Sequence, residues 1–218
     1  MKRVAVILSG CGVFDGAEIH ESVLVLLALD RAGAQAICAA PDMPQHHVIN
    51  HLTKQPVLNE TRNVLAESAR IARGNIISLS RLRVSEVDAM IVPGGLGAGK
   101  NLCNFALAGD HYSVNHDVAK LLQEARRLGK PLGFVCLAPA IAAKLFGPEG
   151  LEFTIGSDPD AARVMQGAGA VHVKCAVRDV VVDRRLKIVT TPAYMLASRI
   201  TEAEAGINKL VQAVLEMA

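Results

Sequence analysis

The chain has no tryptophan, and two tyrosines with five phenylalanines leave it only 3% aromatic. Single-stranded nucleic acid is held by aromatic side chains on which bases stack, so that platform is missing. An excess of one charge is missing too, since 23 Lys and Arg against 21 Asp and Glu give a formal net charge of +2. Duplex binding needs a basic face to displace counterions, so no nucleic acid partner is expected. Long apolar runs are also lacking. Uncharged runs such as SVLVLLAL at 22–29 fall far short of the roughly 20 residues that span a bilayer, and no membrane partner is expected.

Paired cysteines are absent. Cys11, Cys38, Cys103, Cys136 and Cys175 are odd in number and contain no CxxC spacing, so neither a disulfide framework nor a zinc site is spelled out. No metal is expected, and a reducing, cytoplasmic setting fits. The start, MKRVAVILSG, carries Lys2 and Arg3 like a signal peptide. Its apolar run ends at Leu8 before glycines and Asp15, so it reads as a first strand.

What is present is a chain of 218 residues, 51% hydrophobic and 20% charged, ample for one packed domain over 1–218. Short apolar runs at 4–8, 34–40, 88–95, 130–135, 170–174, 180–183 and 187–191 read as strands, mostly buried on both faces. Helical patterns occupy 17–33, closed by Gly33; 59–74, opened near Asn59 and closed by Gly74; 115–129, opened near Asn115 and closed by Gly129; and 201–218. This alternation predicts an α/β fold with a mainly parallel sheet covered on both sides, and an antiparallel hairpin at 180–191 around Asp183-Arg184-Arg185. Glycine and proline cluster where strands end, in SGCGVFDG, PGGLGAGKN and CLAPA, and ligands bind at that edge of an open parallel sheet.

Two of these loops imitate nucleotide motifs and fail. GGLGAGKN at 94–101 matches GxxxxGK, but Asn101 stands where a P-loop needs Ser or Thr for magnesium. GCGVFDG at 10–16 has Asp15 in place of the third glycine of GxGxxG. The third loop carries more. Cys136 lies between a buried strand and a helix with Pro139 in its first turn, over a helix N-terminus, where thiol pKa values can fall to about 3.5–7.5. A buried inert cysteine is the plainer alternative; it suits Cys38, inside a strand, better than Cys136. Cys11, between two glycines, is placed to line the same site, while Cys103 and Cys175 stay undecided.

The nucleophile needs a proton-transfer partner. No histidine adjoins Cys136, and His172 sits in a strand pattern. Glu21 has Ala17, Leu24, Val25 and Ala28 around it at helical spacing, so its carboxyl group is expected on an apolar face with a raised pKa. Glu18, one turn earlier, lies at the edge of that face, where compensation of the helix dipole explains it. Asn50, His51, Arg62, Asn63, Asn101 and Tyr194 either orient substrate or satisfy loop backbone; the roles of His20, His51, Arg62 and Asn63 stay open.

Together, VILSGCGVFDGAEIHE, VINHLT, ETRNVLAESARIARG, IVPGGLGAGKNL, GKPLGFVCLAPA, TIGSD and KIVTTPAYMLA resemble the ThiJ/PfpI superfamily of class I glutamine amidotransferase-like proteins, in its ElbB branch, over nearly the whole chain. The resemblance implies a flavodoxin-like three-layer sandwich and a homodimer. It implies Cys136 as nucleophile at a strained elbow, Glu21 beside it, and an oxyanion pocket from the backbone of Gly95 and Leu137. Glu18, Cys11, Asn101 and Tyr194 are the remaining candidates for substrate contact. Two departures narrow the activity: no histidine follows Cys136, and FTIGSD lacks the distal histidine of glutaminases. What the resemblance then implies is a glyoxalase acting without glutathione, metal or organic cofactor on a small 2-oxoaldehyde. It turns glyoxal into glycolate or methylglyoxal into lactate, an activity also interpreted as deglycation. The alternative is a redox-sensing or regulatory protein with an oxidisable cysteine, linked to isoprenoid biosynthesis without catalysing it.

Overall fold

The apolar runs become the strands of one sheet because both of its faces are covered. The computed structural model describes residues 1–218. In chain order its elements are β1 (Arg3–Ile7), α1 (Ile19–Arg31), β2 (Gln35–Ala40), β3 (Ile49–Asn50), β4 (Gln55–Pro56), α2 (Val64–Ile71), β5 (Ile76–Ser78), β6 (Ala89–Val92) and α3 (Phe105–Ala108). They continue with α4 (His116–Arg127), β7 (Leu132–Val135), α5 (Pro139–Phe146), β8 (Glu152–Phe153), α6 (Pro159–Gln166), β9 (Val171–His172), β10 (Val181–Asp183), β11 (Ile188–Thr191) and α7 (Ile200–Met217).

Seven strands form the central sheet in the order β10-β11-β7-β6-β1-β2-β5. All neighbours are parallel except β10 and β11, the expected hairpin, whose turn is tied by Leu186 N–H donating to Asp183 Oδ1 at 2.9 Å. Every residue of β6, β7 and β11 is buried, which is why these segments read as continuous apolar runs rather than alternating ones. Right-handed crossovers place α1 and α2 on one face and α4 and α5 on the other. The closing helix α7 packs along α1. This is the three-layer, flavodoxin-like sandwich.

Three expectations are corrected. The helix expected from Asn59 begins at Val64, because Asn63 is the cap, its side chain accepting from Ala66 N–H. The run at 170–174 joins the central sheet nowhere: β9 pairs only with β8, in a two-stranded annex. The edge strand β5 went unread, since its three residues are only half-buried and lack a long apolar run.

The topology fixes where chemistry can happen. From β1 the chain moves outward to β2 and β5, and from β6 it moves the opposite way to β7 and β11. The switch lies between β1 and β6, and a crevice opens at the carboxyl ends of these strands. The segments leaving β1, β6, β7 and β11 meet there.

Candidate active site

Cys136 is the first residue after β7, and its backbone is left-handed, φ +59°. A non-glycine residue in that conformation is strained by about 1–3 kcal/mol and persists where its surroundings hold it. Here the hold comes from both sides. The Cys136 N–H donates to Thr191 O at 2.9 Å, extending the ladder with β11, and Pro139 starts α5 three residues later among fully buried alanines. The turn directs the sulfur into the crevice.

Glu21 meets it there from the first turn of α1. It is 0% exposed. Oε2 accepts from Gly94 N–H at 3.0 Å and Oε1 from Tyr194 N–H at 3.2 Å, and the carboxyl group lies beside the Cys136 side chain. Burial, followed by the charge of Glu18, raises its pKa from an ordinary 4.5 to about 8, although the hydrogen bonds pull the other way. An acid on an apolar helix face is what the spacing predicted. Glu18 is the N-cap of α1, Oε2 accepting from Glu21 N–H at 2.7 Å, so its carboxylate anchors the helix that carries Glu21.

The expected low thiol pKa is reversed. Burial, and then the neighbouring Glu21, push the Cys136 thiol well above its ordinary range, and the Gly95 and Leu137 N–H groups facing the sulfur recover only part of this. Two acids in one dry space share a single electrostatic limit. The pair carries at most one charge, and near neutral pH its resting form is a thiol beside a carboxylic acid.

The loop after β6 makes the close approach possible. A Cβ on Gly94 would stand 2.5 Å from Cys136 Cβ and 2.6 Å from Glu21 Oε2. Gly95 is left-handed, φ +94°, and a Cβ there would strike the backbone of Gly16 and Glu18. The amides of Gly95 and Leu137 face the Cys136 sulfur. The cleft between Leu79–Leu82 and α4 is not lined by Cys136, which is 7% exposed.

Other expected contacts lie elsewhere. Asn101 is buried and fully used as a clamp between loops. Its Oδ1 accepts from His46 N–H at 2.9 Å, and its Nδ2 donates to Ser9 O at 2.9 Å and Asp15 O at 3.1 Å, so it has no hydrogen left to donate to a substrate. Lys100 donates to Phe14 O at 3.0 Å, which explains the aborted P-loop as loop architecture. Cys11 lies among the charges of Glu67, Arg70, Asp15 and Arg62, and burial raises its pKa. His51 fixes the same loop, its Nε2 receiving Phe14 N–H at 3.3 Å. Arg62 pairs with Glu60 and Glu67, and Asn63 with its helix cap and Asp42. His172 packs its ring edge-on to Phe153, a structural role.

Tyr194 does reach the site, by its backbone. Ala193 before it is left-handed, φ +42°, and this second strained residue aims Tyr194 N–H at Glu21. The phenol oxygen lies 2.8 Å from Nδ1 of His20, whose role the sequence left open. Adjacency of His20 to Glu21 was the one signal that pointed to it.

No protein-family model matches the chain. It is 45% identical, over 99% of its length and 83% of the other's, to the glutamine amidotransferase-like class 1 domain-containing protein 3, mitochondrial, of Homo sapiens. It is 44% identical, over 99% of its length and 84% of the other's, to the ES1 protein homolog, mitochondrial, of Rattus norvegicus. A crystal structure of an isoprenoid biosynthesis protein with amidotransferase-like domain from Ehrlichia chaffeensis is similar at TM-score 0.91 and 35% identity, covering 99% of this chain and 100% of that one. The Drosophila melanogaster DJ-1beta structure shares the fold at TM-score 0.57 and 20% identity, over 100% of this chain and 95% of that one.

Proposed function

The chain belongs to the family of glutamine amidotransferase-like class 1 and ES1 proteins, and from that premise we propose that it is a cofactor-independent glyoxalase acting on glyoxal or methylglyoxal. The observation that carries the reading is the buried Cys136 side chain meeting the fully buried Glu21 carboxyl group at the Gly94 turn.

Burial penalises charge, so the reaction proceeds through neutral exchanges. The sulfur adds to the aldehyde carbon C1 while Glu21 accepts the thiol proton on one oxygen and donates its own proton to the carbonyl oxygen. The product is a hemithioacetal. Glu21 then moves the C1 proton to C2 through an enediol, which oxidises C1 to a thioester and reduces C2 to an alcohol. Water cleaves the thioester, releasing glycolate and regenerating the thiol. Donors that stabilise a developing oxyanion contribute about 10²–10³ each, and general acid–base relay about 10²–10⁴. Neither needs a cofactor.

The reading includes a homodimer, supported by Ile19, Val23 and Leu27, which stand 42%, 48% and 37% exposed at successive turns of α1. It also includes action in the cytoplasm. The human and rat relatives carry the word mitochondrial in their names. Five free cysteines support a reducing compartment of either kind. The redox-sensing alternative uses the same sulfur, and stoichiometric oxidation of Cys136 to sulfinate without turnover is the outcome that would favour it.

The test is Glu21→Gln, which keeps the shape and removes the titratable proton. Glyoxal turnover is expected to fall by at least about 10²-fold while iodoacetamide still labels Cys136. Turnover within tenfold of the parent removes Glu21 from the mechanism.

A further inference from the structure

We propose that the Tyr194 phenol is the donor that anchors the second oxygen of a bound dicarbonyl, and that His20 is the residue positioning it. The inference rests on the glyoxalase reading and names how that site holds its substrate.

Once the sulfur has bonded to C1, the C1 oxygen has the Gly95 and Leu137 amides. The C2 oxygen lies one carbon further out and must also be steadied as the enediol forms. Many of the main-chain donors around the crevice are spent. Gly94 and Tyr194 N–H groups donate to Glu21. Leu96 N–H donates to Val13 O, Gly97 N–H to Gly16 O, Ala98 N–H to Gly95 O, Cys136 N–H to Thr191 O and Ala138 N–H to Val135 O. Asn101 is fully engaged.

The half-buried Tyr194 phenol remains. Its backbone is bonded to Glu21, and its oxygen is 2.8 Å from Nδ1 of His20, the residue preceding Glu21, so the ring spans the rim between the loop after β11 and the first turn of α1. The rings are tilted by 48° with centroids 5.8 Å apart, a geometry in which the imidazole also braces the phenol. With the proton on Nδ1, His20 donates to the phenol oxygen, and the phenol's own hydrogen is free to point at substrate. His20 is an exposed residue whose ring is bonded only at Nδ1, so no protein group opposes that tautomer.

The experiment measures two quantities on the full chain. One is the glyoxal concentration that half-protects Cys136 from iodoacetamide, read by peptide mass spectrometry, and the other is kcat/KM for glycolate formation. Tyr194→Phe is expected to raise the first and lower the second by about tenfold or more, the loss of one hydrogen bond to a partly charged oxygen. The alkylation rate without glyoxal should stay within twofold of the parent. His20→Leu should reproduce most of the loss, and His20→Asn, which restores a polar atom near the Nδ1 position, should recover to within about threefold of the parent.

The proposal is overturned if Tyr194→Phe protects like the parent, if His20→Asn is as poor as His20→Leu, or if bare alkylation shifts as much as protection does. Protection that Tyr194→Phe loses, in a parent that makes no glycolate, upholds the anchor and removes the glyoxalase reading. Glycolate formed equally by parent and Tyr194→Phe does the reverse. A parent that glyoxal does not protect overturns both.

Discussion

Glu21 and Cys136 illustrate what a residue's surroundings do to its protons. An acid whose pKa rises from 4.5 to about 8 on folding holds its proton more tightly in the folded state. The folded state therefore has its full relative advantage below pH 4.5, and this is lost as pH rises toward about 8. Glutamine does not titrate, although its amide presents only one oxygen to the two N–H groups of Gly94 and Tyr194, a cost of about 1–3 kcal/mol at every pH. Accordingly, the melting temperature of Glu21→Gln relative to the parent is expected to climb between pH 5 and pH 8, by on the order of 5 °C or more. Scanning calorimetry of both proteins across that range checks this. A difference that stays flat means that Glu21 is not held protonated by the fold. Both residues were legible in the sequence, Cys136 from its strand-to-helix position and Glu21 from its apolar helical neighbours. The thiol's pKa was not, because a helix N-terminus shows in a sequence while complete desolvation by residues from four separate segments does not.

Among elements, the loops do the positioning and their glycines set the tolerances. Gly94→Ala places a methyl group where Cys136 Cβ and Glu21 Oε2 already stand, at 2.5 and 2.6 Å, so one of the pair must move. Misplacement of about 1 Å in a reacting group costs on the order of 10²-fold, and glyoxal turnover in Gly94→Ala is expected to drop by that order. Activity within twofold of the parent contradicts the packing. Asn101→Ala removes a buried clamp on Ser9, Asp15 and His46 and is expected to destabilise the fold by about 2–4 kcal/mol in a urea titration. A loss below about 1 kcal/mol means that the loops hold without it. Element positions were read well where apolar runs were long and caps distinct, as at Asn115 and Gly129. They were misread where two asparagines competed, since Asn59 and Asn63 both precede the helical pattern of α2 and only the second has its side chain on Ala66 N–H. The near-match to a phosphate loop shared this ambiguity: glycines that permit a tight turn look alike whether the turn cradles a ligand or another loop.

The whole molecule turns one topological feature into a site. Because the sheet is built in opposite directions from β1 and β6, the segments after β1, β6, β7 and β11 converge, each delivering one component: Glu21 on α1, the Gly94-Gly95 turn, the Cys136 elbow and the Tyr194 backbone. That convergence followed from the alternating strand and helix pattern, and three of its four segments were named from glycine and proline content. The fourth, after β11, was known through Tyr194 alone, and its contribution is a main-chain N–H, which no side-chain pattern records. At this scale the homodimer is checked by light scattering, with a mass of about twice 23.1 kDa expected and a value near one chain mass contradicting it. The account stands or falls on chemistry at a single sulfur, and following glyoxal by proton NMR in the presence of the parent chain and of Cys136→Ala tests it most directly. Glycolate accumulating over many turnovers with the parent, and absent with Cys136→Ala, is the result expected; no glycolate with the parent, or an equal amount with both, contradicts it.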